Sequence, residues 1–283
     1  MIFTNLFALF SLTRPINSLM IGLAVVVGIA IGSPELLFSR LALSGFITGF
    51  AISGYSMVIN DVYDIEIDKI NQPKRPLPQG IVSIRSALIL SLILLLLGLF
   101  SSVLISYNNA LIATVFALLS WFYNLWGKKN GIIGNFIVAS SMSIPFIFGG
   151  IITTGSLSLL VLSISIIAFL SGVGREIIKT ISDIEGDKVK GIRSIAITFG
   201  PKIAARIASV FIFLSIIVSF VPIYYGLIEF YYLPLLLITD LLFMYSIYQI
   251  SLESSKKQSL KTKTTILYAM LLGLITFLFN SFT

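Results

Sequence analysis

Long apolar runs recur along this chain, and they leave few folds open to it. About 20 apolar residues in a helix cross the roughly 30 Å hydrocarbon core of a bilayer. Nine runs approach that length, each ended by polar residues or glycine, at 15–33, 41–60, 86–106, 110–126, 132–154, 157–174, 207–228, 231–250 and 264–282. The sequence therefore predicts an all-α fold, a polytopic membrane bundle of nine transmembrane helices that forms one domain over residues 1–283.

The composition agrees with a membrane protein and narrows its chemistry. Hydrophobic residues make up 57% of the chain and charged residues 11%, whereas soluble domains carry about 25% charged residues. The chain has neither cysteine nor histidine. Disulfides, thiolate chemistry and histidine acting as a base or a zinc ligand are therefore excluded. Any catalysis must rely on carboxylates, amines, guanidinium groups, phenols, amides or a bound ion.

Lysine and arginine indicate how the nine predicted spans are oriented. If the spans alternate in direction, 18 of the 19 basic residues fall at one set of span ends, and only Arg40 falls at the other. Cytoplasmic loops carry such an excess. We therefore expect a cytoplasmic N-terminus, an external C-terminus and location in the cytoplasmic membrane. The two long polar links, 61–85 and 175–206, then form cytoplasmic cap loops, and we expect the active site on that face.

Two acidic motifs follow predicted spans at this face. The first motif contains Asn60, Asp61, Asp64 and Asp68, and the second contains Asp183 and Asp187. Spacings of three and four residues place side chains on one face of a helix. The pattern Asp-Ile-Glu-x-Asp-Lys occurs at 64–69 and again at 183–188. This repeat predicts two related halves, with motifs at 60–69 and 183–188, whose acidic ends face one another.

Carboxylates clustered near hydrocarbon repel each other unless a cation neutralises them. Mg²⁺ prefers carboxylate oxygens and completes its shell with water and substrate phosphate. We therefore expect Mg²⁺ as the cofactor and a catalytic metal site formed by Asp61, Asp64, Asp68, Asp183 and Asp187. Diphosphate is the ligand that such a site favours.

Polar and basic residues near the motifs are candidates for substrate binding, because arginine and lysine complement phosphate oxygens. Arg175 and Lys179 lie two turns and one turn before Asp183, and Asn17 lies inside the first span, where it should face the bundle interior. From position alone we expect substrate contacts from Asn17, Asn60, Arg75, Arg175, Lys179, Lys188 and Arg193.

The two motifs resemble the signatures of the UbiA superfamily of intramembrane prenyltransferases. The first motif resembles the signature Asn-Asp-x-x-Asp-x-x-x-Asp, and the second resembles Asp-x-x-x-Asp. Three further stretches, 14–17, 131–135 and 174–179, resemble the archaeal ether-lipid branch of this superfamily. The resemblance implies magnesium-dependent transfer of a geranylgeranyl group from geranylgeranyl diphosphate to geranylgeranylglyceryl phosphate. It also implies phosphate contact by Lys128, which follows Tyr123 after the fourth span. Expected partners are an isoprenyl diphosphate, a lipid-like phosphate acceptor and membrane lipid, without nucleic acid or an obligate protein partner.

Three alternatives remain at this stage. The same chemistry suits an aromatic acceptor such as 4-hydroxybenzoate, a naphthoate, homogentisate or a porphyrin. An ion or phosphate transporter would place ionisable groups near the bilayer midplane, whereas here the acids cluster at one face. A CDP-alcohol phosphotransferase would need an Asp-Gly…Ala-Arg pattern that the chain lacks.

Overall fold

The computed structural model describes residues 2–154 and 157–282, and every regular element in these residues is helical. The all-α prediction is therefore confirmed for the described chain. The α-helices are α1 (Ile2–Ser11), α2 (Pro15–Gly32), α3 (Arg40–Tyr63), α4 (Ile65–Asn71), α5 (Ile84–Val103), α6 (Tyr107–Leu125), α7 (Ile132–Thr154), α8 (Leu159–Val189), α9 (Ile195–Phe199), α10 (Pro201–Tyr224), α11 (Leu233–Leu252) and α12 (Lys256–Asn280).

Eight helices in the described residues are long and apolar enough to cross a membrane. They are α2, α3, α5, α7, α8, α10, α11 and α12, so the protein is a multi-pass membrane protein. The fourth predicted span corresponds to α6, which is helical but is not among the eight. Three asparagines in that helix, Asn108, Asn109 and Asn124, reduce its apolar character. The predicted count of nine is therefore not confirmed.

Helix α8 extends well beyond the apolar run from which it was predicted. It has 31 residues, which corresponds to about 46 Å at 1.5 Å per residue. Ser158 caps its start by accepting a hydrogen bond from the backbone N–H of Val161 at 3.2 Å. A helix of this length exceeds the roughly 30 Å hydrocarbon core. Its final turns, which carry the second acidic motif, therefore lie beyond the apolar part of the bundle.

The outer surface of the bundle is apolar where helices face away from the centre. On α5, Leu92, Ile93 and Leu96 are each more than half exposed. The inner surface is formed by small and branched residues, and one core cluster joins α8 and α10 through Ile177, Ile178 and Ile212. A helix bundle with exposed aliphatic side chains is typical of a protein surrounded by lipid.

Helices α2 and α7 cross unusually closely, because glycines face each other at the crossing. A Cβ atom added at Gly149 would lie 2.1 Å from the carbonyl oxygen of Val25, and one added at Gly28 would lie 2.3 Å from that of Phe146. Small residues allow membrane helices to approach in this way. Helices α2 and α7 both line the central cavity described below, so their close packing joins two of its walls.

We expect Gly149→Ala to destabilise the bundle, because the added methyl group meets backbone atoms that cannot rotate away. Overpacking of this kind costs about 1–3 kcal/mol, which lowers the unfolding temperature measured in detergent. Gly273→Ala is the matched control, since its Cβ would lie 3.4 Å from the Thr239 side chain, an ordinary contact. Equal unfolding temperatures for the two variants would contradict the close crossing.

Candidate active site

The first acidic motif lies where α3 gives way to α4, and its three carboxylates are buried. Asp64 separates the two helices, so the motif does not form one continuous helix. Asp61, Asp64 and Asp68 are 3%, 5% and 4% exposed. Burial of a carboxylate is costly unless a positive partner is present. Each of the three therefore requires a basic neighbour, and each has one.

Two of these basic neighbours, Arg14 and Lys128, come from segments distant in the sequence, and the third, Arg75, follows the motif closely. Arg14 Nη2 donates to Asp61 Oδ1 at 2.6 Å, and Lys128 Nζ donates to Asp64 Oδ2. Arg75 Nη1 donates to Asp61 at 3.1 Å and to Asp68 at 2.5 Å. Burial raises the pKa of Asp68, although the charge of Arg75 opposes that rise. The ion pairs therefore tie the segments before α2, after α4 and after α6 to one motif.

The backbone at Arg14 is itself unusual. Its φ of 47° lies in the left-handed region, which residues other than glycine rarely adopt. Pro15 follows at the first position of α2 and fixes the entry into that helix. Burial lowers the pKa of Arg14, but the charge and hydrogen bond of Asp61, together with the charges of Asp68 and Asp64, outweigh this effect, so the pKa of Arg14 is raised. Strained residues of this kind concentrate at functional sites.

Asn71, at the end of α4, joins the first motif to the second. Its side-chain Nδ2 donates to the carbonyl oxygen of Asp183 at 3.2 Å, and its Oδ1 accepts from the backbone N–H of Gly186 at 3.1 Å. A Cβ atom at position 186 would lie 2.4 Å from Asn71 Nδ2, so only glycine leaves room. The amide thus docks α4 onto α8 and brings the two motifs together.

The two motifs face one small cavity, which we call the carboxylate chamber. Its volume is about 80 Å³, and it is lined by five carboxylates, those of Asp64, Asp68, Glu176, Asp183 and Asp187. Basic side chains line it as well, namely Arg14, Arg75, Lys128, Lys179 and Lys263. Aspartates gathered around so small a volume, with basic groups beside them, form a pocket of the kind that a cation and a phosphate ligand occupy.

A much larger cavity, which we call the apolar chamber, adjoins the first. Its volume is about 420 Å³, and it is lined by side chains of α2, α3, α6, α7, α8, α11 and α12. Phe116, Phe148 and Phe277 contribute aromatic rings to its wall. Seven residues line both chambers and form what we call the junction: Arg14, Asn60, Arg75, Tyr123, Glu176, Lys179 and Lys263. The arrangement suits a molecule with an anionic head and a long apolar chain.

The donor set of the carboxylate chamber fits a magnesium ion, because carboxylate and amide oxygens are the ligands that Mg²⁺ prefers. The described part of the chain contains no group of three acidic side chains that are already close enough to share an ion. Instead, Asp64 accepts hydrogen bonds from Lys128 and from Asn60 Nδ2, the latter at 3.0 Å. The chemistry of the chamber is thus right for the metal, while Asp64 and Asp68 are held by the basic partners Lys128 and Arg75.

The structure brings some predicted site residues together and leaves others apart. The carboxylate chamber contains Asn60, Asp64, Asp68, Arg75, Lys128, Lys179, Asp183 and Asp187. Asn17 and Arg175 line only the apolar chamber. Asp61, Lys188 and Arg193 line neither chamber: Asp61 is held by two arginines, and the other two are exposed.

The prediction missed five residues that the structure places at the site, namely Arg14, Asn71, Tyr123, Glu176 and Lys263. Asn71 had a usable signal, because it continues the helical spacing of Asp64 and Asp68. Lys263 had none, since it lies 76 residues beyond Asp187 and its position depends on helix packing.

Asp240 is a further buried carboxylate, and it lines the apolar chamber away from both motifs. Its Oδ2 accepts a hydrogen bond from Ser219 Oγ at 2.7 Å, while Oδ1 has no hydrogen-bond partner among the described residues. The sequence placed it in the middle of a span, and the structure gives it no link to the acidic motifs.

The fold and the site together define an intramembrane enzyme that acts on amphipathic substrates. Residues 21–279 match the UbiA prenyltransferase family. The chain belongs to this family, and it is therefore an enzyme that transfers prenyl groups.

Individual relatives agree with the family match over nearly the full length. Digeranylgeranylglyceryl phosphate synthase of Methanosphaera stadtmanae is 34% identical over 265 residues, which cover 93% of this chain and 95% of that protein. A solved structure of digeranylgeranylglyceryl phosphate synthase is 33% identical, with a TM-score of 0.76 over 98% of this chain and 99% of its own. A UbiA homologue from Archaeoglobus fulgidus bound to GPP and Mg²⁺ shares the fold at 18% identity, with a TM-score of 0.68 over 95% of this chain and 99% of that one.

We expect Asn71→Ala to reduce prenyl transfer at least about tenfold, because loss of both hydrogen bonds frees α4 from α8 and misplaces the carboxylates. The measurement is the initial rate of product formation in detergent or in vesicles. Asn108→Ala is the matched control, since Asn108 is exposed and lies at the start of α6. A wild-type rate for the Asn71 variant would remove the role we give to this amide.

Proposed function

We propose that this protein transfers a geranylgeranyl group from geranylgeranyl diphosphate to geranylgeranylglyceryl phosphate, forming digeranylgeranylglyceryl phosphate for archaeal ether lipid. The observation that carries the proposal is the junction, where a chamber lined by both aspartate motifs meets a chamber with largely apolar walls. A prenyl diphosphate has one end suited to each. The relatives that are 33–34% identical over almost the whole chain, named as synthases of this product, favour the lipid acceptor.

The carboxylate chamber holds the diphosphate end of the donor substrate. Asp64, Asp68, Asp183 and Asp187 are the proposed ligands of Mg²⁺, which when bound offsets the charge that grows on the leaving diphosphate. Lys128 lines the same chamber and donates to phosphate oxygens. Asp61 lines neither chamber, but it shares Arg75 with Asp68, and it stays a proposed fifth ligand.

The transfer itself exchanges one carbon–oxygen bond for another. The bond between C1 of the prenyl chain and the diphosphate breaks, and its electron pair stays with the diphosphate. The glycerol hydroxyl oxygen of the acceptor bonds to C1, and its proton passes to the released diphosphate. No histidine is required, which agrees with the composition.

The apolar chamber accommodates the chains and keeps water from the allylic cation that forms as C1 is released. Its volume of about 420 Å³ lies within the roughly 300–1,000 Å³ typical of small-molecule sites. Aromatic faces near the junction, such as Tyr123 and Phe116, stabilise a cation by their ring electrons. Exclusion of water prevents loss of the prenyl group by hydrolysis.

An aromatic acceptor is the alternative that this chemistry leaves open, and an acceptor panel separates it from the lipid. Membranes that contain the protein are incubated with labelled geranylgeranyl diphosphate and either geranylgeranylglyceryl phosphate or 4-hydroxybenzoate. We expect product only with the lipid. Prenylated 4-hydroxybenzoate as the main product would replace the proposed acceptor.

Substitution of the chamber carboxylates tests the reaction centre directly. We expect Asp64→Asn and Asp187→Asn each to lower the transfer rate by at least about 100-fold, because each removes a carboxylate that would hold the Mg²⁺ on which stabilisation of the leaving diphosphate depends. The rate is measured with purified protein of matched thermal stability. Treatment with EDTA should abolish the reaction, and added Mg²⁺ should restore it.

The matched controls are the acidic residues that share each motif but face outward. Glu66 and Glu185 are exposed, pair with Lys69 and Lys256 on the surface, and line neither chamber. We expect Glu66→Gln and Glu185→Gln to retain near wild-type rates. Equal losses in the aspartate and glutamate variants would indicate a general effect of charge and would refute the assignment.

We further propose that α6 is a ninth span, so that a single domain with two related halves crosses the cytoplasmic membrane nine times. The N-terminus and the carboxylate chamber then lie on the cytoplasmic side, and the C-terminus lies outside. The support is the distribution of basic residues, of which 18 fall at one set of span ends and Arg40 alone at the other.

The absence of native cysteine makes this topology simple to test. We expect Lys188→Cys, which is exposed beside the second motif, to react with a membrane-impermeant maleimide only in inside-out vesicles. Tyr107→Cys, 82% exposed at the start of α6, should react only in right-side-out vesicles. Labelling of both positions from the same side would contradict the nine-span topology.

A further inference from the structure

The junction carries a group of cations that the carboxylate motifs do not neutralise. Arg175 and Lys179 project from α8, and Lys263 projects from α12, which packs against α8. Lys179 and Lys263 line both chambers, whereas Arg175 lines only the apolar one. Their position is therefore at the entrance from the carboxylate chamber into the apolar chamber.

A single carboxylate, Glu176, serves this group. It is 5% exposed and accepts hydrogen bonds from Arg175 Nη1 at 2.9 Å and from Lys179 Nζ at 3.3 Å. Lys263 forms no ion pair with any residue that the structure describes, and Arg175 Nε is buried without a hydrogen-bond partner in the same part of the chain. The group thus keeps excess positive charge and an unfilled donor.

Such an excess needs an anion, because unpaired cations next to an apolar cavity are costly. The diphosphate does not account for all of it. The carboxylate chamber has its own cation in Lys128, which is absent from the apolar chamber, and Arg175 lies on the opposite side of the junction from that chamber. Arg14 and Arg75 line the carboxylate chamber as well and are available to the diphosphate, whereas Arg175 lines only the apolar chamber, on the side from which an acceptor with an apolar chain approaches.

We propose that Arg175, Lys179 and Lys263 bind the phosphate of the acceptor lipid, at a subsite separate from that of the diphosphate. This assignment rests on the proposed function and adds to it the group by which the acceptor is selected. A phosphate held at the junction keeps the adjacent glycerol hydroxyl beside the carboxylate chamber, where C1 of the donor is released. The prenyl chain of the acceptor then extends into the apolar chamber.

Lys263 gives the sharpest test, because no described carboxylate is paired with it. With geranylgeranylglyceryl phosphate as acceptor, we expect Lys263→Met to raise the acceptor KM about 10- to 100-fold, as loss of a charge-assisted contact predicts. The KM for geranylgeranyl diphosphate should stay unchanged. Lys263→Arg should restore most of the acceptor affinity, since it restores the charge.

A second acceptor isolates the role of the phosphate. The dephosphorylated lipid, geranylgeranylglycerol, lacks the phosphate. The wild type should therefore prefer the phosphorylated acceptor, measured as the ratio of kcat/KM for the two lipids. In Lys263→Met this ratio should fall by the same factor by which the KM for geranylgeranylglyceryl phosphate rises. Lys261→Met is the matched control, because Lys261 lies on the same helix and is exposed. Should the methionine variant fail to fold, Lys263→Gln is measured in the same way.

The outcomes separate the inference from the function on which it rests. A rise in the KM for the diphosphate, or no change in the acceptor KM, overturns the subsite while prenyl transfer to the lipid stands. Failure of the wild type to prenylate either lipid acceptor overturns the proposed function and the subsite with it.

Discussion

Ion pairing of buried carboxylates is the constraint on which the rest of this structure depends. Asp61, Asp64 and Asp68 lie at the end of an apolar bundle, where an unpaired negative charge costs several kcal/mol. Each obtains a basic partner from a connecting segment, before α2, after α4 or after α6. The same pairs that remove this cost therefore hold together the connecting segments that close the carboxylate chamber.

Helix packing then determines where the chamber opens. The long α8 carries its acidic motif past the apolar part of the bundle, and Asn71 fastens α4 to it. Deeper in the bundle, the glycine crossing of α2 and α7 packs together two helices that line the apolar chamber. The hydrogen bonds of Asn71 at one end of the bundle and the packing of glycines in its middle thus place the carboxylate chamber directly next to the apolar chamber.

Periodicity and composition could predict the helical class and four of the five carboxylates that line the carboxylate chamber, because residues four apart share a helical face. Asp61 stays a prediction: α3 ends at Tyr63 and Asp61 lines neither chamber, although Arg75 donates to both Asp61 and Asp68. Lys263 could not be predicted, since only the packing of α12 against α8 brings it to the junction. Helix α6 was predicted as a span by its length, and its asparagines weaken that prediction.

The pairing in this structure also bears on how a diphosphate enters. Arg75 and Lys128 donate to Asp68 and Asp64, respectively, and all four residues line the chamber. An entering diphosphate competes for these donors with oxygens of equal charge, so the cations exchange one anionic partner for another. Because no basic group has to become unpaired, the exchange avoids most of the desolvation cost of burying a new charge. The carboxylates that lose their partners are then free to act as the metal ligands that their oxygen chemistry favours.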